Sequence, residues 1–116
     1  MAKKHALQRR VLARLASEPE CWAVKLHSSP FQRAGLPDVV GCWRGRLFAL
    51  ELKGEEKELP SPRQQYELNA IRRAGGATAV IHRFEELEEW WHGFAGDCPK
   101  TQHGKTRENL RNAKEK

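Results

Sequence analysis

The sequence predicts an α/β domain, a small mixed β-sheet flanked by helices, and three observations carry that reading. Apolar residues recur at helical spacing in three separated segments. Short apolar stretches with partial alternation lie between them, bounded by Gly, Pro and Ser. One helical segment also separates two strand-like segments, a crossover that favours parallel pairing of those strands.

Taken in chain order, Leu7, Val11, Leu12 and Leu15 are spaced for an amphipathic helix over residues 4–16, with Arg9, Arg10 and Arg14 between them. Residues 21–27, "CWAVKLH", read as a short strand, and "SSPFQRAGLP" as a loop. Strands are expected over 38–43 and 46–53. The tight "WRGR" connection suggests an antiparallel hairpin in which Gly45 takes a positive φ. After "PSP", a helix is expected over 63–74, its period set by Tyr66 or Glu67 with Leu68 and Ile71 and its end by the glycines of "AGG". A buried strand over 77–82 and a last helix over 85–94 complete the domain, assigned to residues 1–95. Residues 96–116 form a basic polar tail in which apolar content collapses, expected to be flexible.

The chain has 116 residues, 39% hydrophobic and 31% charged, which suits one folded domain with a modest core. No apolar run approaches the roughly 18 residues of a membrane span, and the basic N-terminus lacks the apolar stretch of a secretory signal. Cys21, Cys42 and Cys98 are odd in number and share no metal-ligand spacing, which argues against a disulfide framework or a zinc site and for a reducing, cytoplasmic setting. The net charge of +6 is concentrated towards the ends, and residues 1–17 hold no acid at all. Such a balance favours a polyanionic partner, nucleic acid first, and no membrane.

The chemistry concentrates in "GLPDVVGCWRGRLFALELK", residues 35–53. Side chains alternate faces along a strand, so Phe48, Leu50 and Leu52 share one face while Leu47, Ala49, Glu51 and Lys53 share the other. Pairing about the Arg44–Gly45 turn places Asp38 opposite Glu51, so two carboxylates and a lysine meet at one sheet edge. Adjacent carboxylates raise each other's pKa unless a cation intervenes, and hard oxygen ligands suit Mg²⁺ or Mn²⁺. The residues alone equally allow a salt bridge between Glu51 and Lys53, with Asp38 as a turn residue after Pro37.

"PDVVG", a hairpin and then "FALELKG" resemble the core of the PD-(D/E)xK nucleases. The run "PSPRQQYELNAIRRAGGATAVIHRFEEL" is similar to the VRR-NUC branch of that superfamily, in its stand-alone phage and bacterial form. The resemblance spans residues 4–90 and implies a restriction-endonuclease-like core. It further implies that Asp38 and Glu51 bind a metal with the Leu52 backbone carbonyl, that Lys53 is the catalytic lysine, and that Gln64 stands near the site, with Gln65 second. A metal-bound water would then hydrolyse a DNA phosphodiester and leave a 5′-phosphate. The implied substrate is branched DNA such as a Holliday junction and the implied assembly a homodimer, in a bacterial or phage-infected cell. One departure stands out: members commonly carry a Glu on the first helix, but "KKHALQRRVLARL" has no acid. Gln8, His5, Glu18 or Glu20 are the candidates to replace it.

Lys25, Arg33, Arg9 and Arg10 are candidate DNA contacts, with solvated surface positions as the alternative. Trp43, Trp90 and Trp91 either stack on bases or pack the core. The acidic segment 55–58 is expected to point away from DNA. Two further readings remain beside the nuclease: a catalytically silent DNA-binding module, and the cleavage subunit of a larger assembly.

Overall fold

The computed structural model describes residues 2–27 and 29–97. It contains α1 (Ala2–Ala16), β1 (Cys21–Lys25), β2 (Val39–Trp43), β3 (Arg46–Leu52), α2 (Pro62–Arg73), β4 (Ala77–Ile81) and α3 (Phe84–Asp97). The expected element order is found, with α3 running three residues further than its apolar pattern marks. The expected tail, with Cys98, lies outside the described residues apart from the end of α3.

The strands form one sheet in the order β1-β2-β3-β4. β2 pairs antiparallel with β3, and β4 joins β3 in parallel through the α2 crossover, both as the sequence predicts, while β1 adds antiparallel to β2. The hairpin turn is tighter than Gly45 alone implies, because Arg44 also takes a positive φ, 51° beside 83° for Gly45. Paired left-handed residues give a two-residue turn whose twist matches the flanking strands, and this turn fixes the register. That register pairs Val39 with Leu50, so the next step along places Asp38 beside Glu51.

Helices α1 and α3 cover one face of the sheet. Leu7, Val11 and Leu15 from α1 and Leu87, Trp91 and Phe94 from α3 pack with Val39, Trp43, Phe48, Leu50 and Leu52 in a single apolar cluster. Trp43 and Trp91 meet edge to face at 5.4 Å, and Trp90 stacks on Phe94 at 4.8 Å, so all three tryptophans belong to core packing. Gly41 is required beneath this cluster, since a Cβ there would collide with the Phe48 ring and the Trp22 carbonyl. On the opposite face α2 lies against β4 and the end of β3, and leaves β1 and β2 open.

Candidate active site

Local structure builds the site before tertiary packing completes it. Asp38 enters β2 with its backbone N–H donating to Leu50 at 3.0 Å. Its carboxylate Oδ2 accepts from the Leu52 N–H at 2.7 Å, which locks the side chain against the end of β3. Glu51 is 1% exposed and Lys53 6%, both on the α2 face of β3, as the alternation predicts.

Gln64 joins these charges. Ser61 caps α2 by accepting from the Gln64 N–H at 3.2 Å, and Gln64 Oε1 accepts in return from the Ser61 N–H at 2.8 Å. Pro62 occupies the first helical turn of this capping box. The same Oε1 accepts from Lys53 Nζ at 2.8 Å, while Gln64 Nε2 donates to Glu51 Oε2 at 2.9 Å. A helix cap thus orients an amide that bridges the buried acid and the buried base. The Ser-x-x-Gln spacing is a local signal that selects Gln64 over Gln65, which turns away to bond Asn69.

The remaining Glu51 oxygen, Oε1, is buried and has no hydrogen-bond partner among the described residues. Burial first, and then the neighbouring Asp38 carboxylate, push the Glu51 carboxyl from its ordinary 4.5 up to about 7, against the pull of Lys53 and Lys4. Lys53 Nζ lies 3.6 Å from Glu51 Oε2, and 3.7 Å from Glu58 Oε2. The expectation that the 55–58 segment points away therefore fails for Glu58, which folds back over the lysine.

An orphaned carboxylate oxygen beside a second carboxylate is a donor set suited to a hard divalent cation. No group of three or more His, Cys, Asp or Glu side chains that could hold a metal occurs among the described residues, so a third protein ligand would have to be a carbonyl oxygen, from the backbone or from an amide side chain. The Leu52 peptide, whose N–H reaches Asp38, runs through this edge.

Helix α1 contributes an unexpected residue. Lys4 Nζ lies 3.2 Å from Asp38 Oδ1. Of the candidates to replace a helix acid, Gln8 is buried one turn further along and His5 is exposed. Glu18 and Glu20 are excluded by geometry. They pair with Arg14 and Arg44, each at 2.8 Å, beside the start of β1, which lies next to the hairpin turn. A five-residue strand, roughly 17 Å, separates that end of the sheet from Asp38.

A cleft of about 600 Å³ opens beside the site and is lined by Lys4, His27, Arg33, Gly35, Asp38 and Gln64 among others. Its wall, the loop between β1 and β2, is pinned to α2. Arg33 Nη2 pairs with Glu67 Oε1 at 2.8 Å, and Arg63 Nε donates to the Ala34 carbonyl at 3.4 Å. Gly35, at φ 87°, passes so close to the Arg63 backbone that no Cβ fits. Glu67, only 2% exposed, is the buried member of the pair the α2 pattern left open, since Tyr66 is 57% exposed. The other DNA-contact candidates lie apart from this cleft. Lys25 is in register with Val39, on the opposite sheet face from Asp38. Arg10 stacks over the Phe84 ring at 4.1 Å in a separate groove, and Arg9 is exposed on α1.

No protein-family model and no curated protein matches the sequence. Solved structures do. One described as a VRR_NUC domain matches with a TM-score of 0.67 and 24% identity, over 78% of this chain and 95% of the other. A second, a VRR_NUC domain protein, matches at 0.61 and 13% identity over 78% and 85%. The Holliday junction resolvase Hjc of Archaeoglobus fulgidus matches at 0.53 and 18% identity over 68% and 67%. The resemblance read from "PDVVG" and "ELK" is thus met at the level of the backbone: this chain has the restriction-endonuclease-like fold of the VRR_NUC domains.

Proposed function

We propose that the chain is a metal-dependent DNA endonuclease selective for branched DNA. The observation that carries this reading is the buried Glu51 with its unpartnered Oε1, held beside Asp38 and joined to Lys53 through Gln64.

Asp38, Glu51 and the Leu52 carbonyl are the groups that would hold Mg²⁺ or Mn²⁺, which supplies charge neutralisation and an acidified water. Lys53, fixed by Gln64, directs its ammonium protons at the attacking oxygen and at the charge that develops on phosphorus. The new water–phosphorus bond forms as the bond to the 3′ oxygen breaks, leaving a 5′-phosphate and a 3′-hydroxyl. Arg33, on the cleft wall and paired with Glu67 through one nitrogen, would offer its remaining donors to a phosphate.

A homodimer fits the open part of the α2 face. Trp22, Cys42 and Leu47 are cross-strand partners in one row over β1, β2 and β3, with Trp22 60% and Leu47 44% exposed. Two copies joined there would present two sites, as two symmetric strands of a junction require. No helix among the described residues is long and apolar enough to cross a membrane, and the proposed place of action is the cytoplasm.

The test incubates the protein with four-way junction, flap, duplex and single-stranded DNA in Mg²⁺, Mn²⁺ or chelator, with Lys53→Ala alongside. Metal-dependent cleavage, strongest on the junction and lost in the variant, is expected. Intact DNA throughout, or cleavage that survives Lys53→Ala, sinks the proposal. The Lys4–Asp38 ion pair favours a second reading, a silent DNA-binding module in which a lysine neutralises the metal ligand. Junction binding without cleavage in any metal would select it.

A further inference from the structure

We infer that Lys4 is a tethered counter-ion of the metal site that becomes a substrate-phosphate ligand: it holds Asp38 Oδ1 until a divalent ion takes that oxygen, then turns to a non-bridging phosphate oxygen. The inference rests on the nuclease reading and adds to it a residue with two successive partners.

The position of Lys4 follows from the pattern of α1. Lys4, Gln8, Val11 and Leu15 follow one another at helical spacing, so Lys4 extends the buried stripe one turn towards the N-terminus. That turn packs beside Gly54, at the exit of β3, with the Gly54 Cβ position 3.4 Å from the Lys4 Cβ. Two-thirds of the Lys4 side chain is consequently covered, which anchors the stem while the ammonium stays at the edge of the cleft. The helix gives no reason for a lysine here. The first turn carries the positive end of the macrodipole and favours acids, yet α1 has none in that turn. The reason lies across the cleft, in Asp38.

Asp38 Oδ2 already accepts from the Leu52 N–H, so Oδ1 is the oxygen more open to a cation, and Lys4 is 3.2 Å from it. Lys4 and a divalent ion therefore compete for one atom. Once the ion is bound, like charges a few ångströms apart repel, and Lys4 must leave. Its exit is the cleft, where it stands among the lining residues with Arg33 and Gln64. A phosphate reaching Asp38 enters through the same space. Lys53 does not make this exchange of partners, because Gln64, Glu51 and Glu58 hold its ammonium in place whether or not a metal is bound. The two lysines divide the work: one stays with Glu51, the other exchanges a carboxylate for a phosphate.

A single substitution separates these partners because its effects on metal and on DNA have opposite signs. In the full chain, Lys4→Gln is expected to bind Mn²⁺ about fivefold more tightly by calorimetry without DNA, since a competitor worth a partly exposed ion pair is gone. In Ca²⁺, the same variant should bind junction DNA more weakly, with the slope of log affinity against log salt reduced by about one. Lys4→Arg should restore the slope. Unchanged or weaker Mn²⁺ binding in Lys4→Gln, or an unchanged salt slope, overturns the inference. Wild-type protein that cleaves no DNA sinks the nuclease reading instead, and the two binding measurements still decide the role of Lys4.

Discussion

On the α1/α3 face of β3, Phe48, Leu50 and Leu52 have no exposure and meet apolar neighbours, whereas one residue along, on the α2 face, Ala49, Glu51 and Lys53 are nearly as dry and two of the three are charged. Equal burial has opposite consequences on the two faces. Apolar area removed from water stabilises by about 25 cal/mol per Å². A buried charge loses hydration that its partners only partly replace. The aromatic cluster of Phe48, Trp43, Trp91 and Phe94 holds the sheet, and that rigidity lets the other face keep Glu51 Oε1 unsatisfied. Stability and chemistry are segregated by strand alternation, one residue apart.

Substitutions on each face test that segregation, and the largest effect is expected on the polar one. Lys53→Ala should reduce cleavage about a thousandfold, the scale of losing one electrostatic stabiliser, with little change in the denaturation midpoint. A collapse of the fold in that variant would break the comparison. On the apolar face the sign reverses. Phe48→Ala should lose about 3–5 kcal/mol in urea unfolding, and any activity loss should follow the folded fraction.

The pH dependence of stability sharpens the contrast. The folded pKa of Glu51 is raised from 4.5 to about 7, so the folded state keeps a proton that the unfolded chain has released. The contribution from this group is therefore full below pH 4.5, falls as pH rises through the window to 7, and is flat above it. Each pKa unit corresponds to about 1.4 kcal/mol, so the whole fall is at most about 3 kcal/mol. Glu51→Gln should remove this slope in metal-free protein and be the more stable form at pH 8, while losing Mn²⁺ binding. In the wild type, Mn²⁺ affinity should rise with pH up to about 7, where the proton no longer competes. A smaller effect is expected at the cap. Ser61→Ala should lose about 1 kcal/mol, because the Gln64 N–H loses its acceptor, with little change in cleavage rate, because the backbone N–H of residue 61 still donates to Gln64 Oε1; a rate that falls beyond the folded fraction would show that the hydroxyl cap positions the amide.

Much of the site was legible because it is built from neighbours in sequence. Asp38, Glu51 and Lys53 are linked by one hairpin, and a two-residue turn leaves a single register. Gln64 came from the resemblance alone, although the Ser61 cap three residues earlier is a local signal that marks it. Lys4 and Glu67 were not. A lysine at the start of a helix reads as solvated, and its approach to Asp38 depends on how α1 crosses the sheet. Glu67 competes with Tyr66 for the same helical stripe, and its burial depends on Arg33 arriving from a loop 34 residues away. Glu58 was misjudged for the same reason, since a repulsive charge run gives no hint of a lysine folding beneath it.

By itself, then, the sequence determined the order of elements, the hairpin register and the meeting of Asp38, Glu51 and Lys53. All of these are fixed by side-chain period and turn sterics over a few residues. Only the tertiary structure decided what surrounds that trio: Lys4 against Asp38, Glu67 beneath Arg33, and the open row from Trp22 to Leu47. Those pairings join segments whose separation in the chain says nothing about distance until the helices have docked on the sheet.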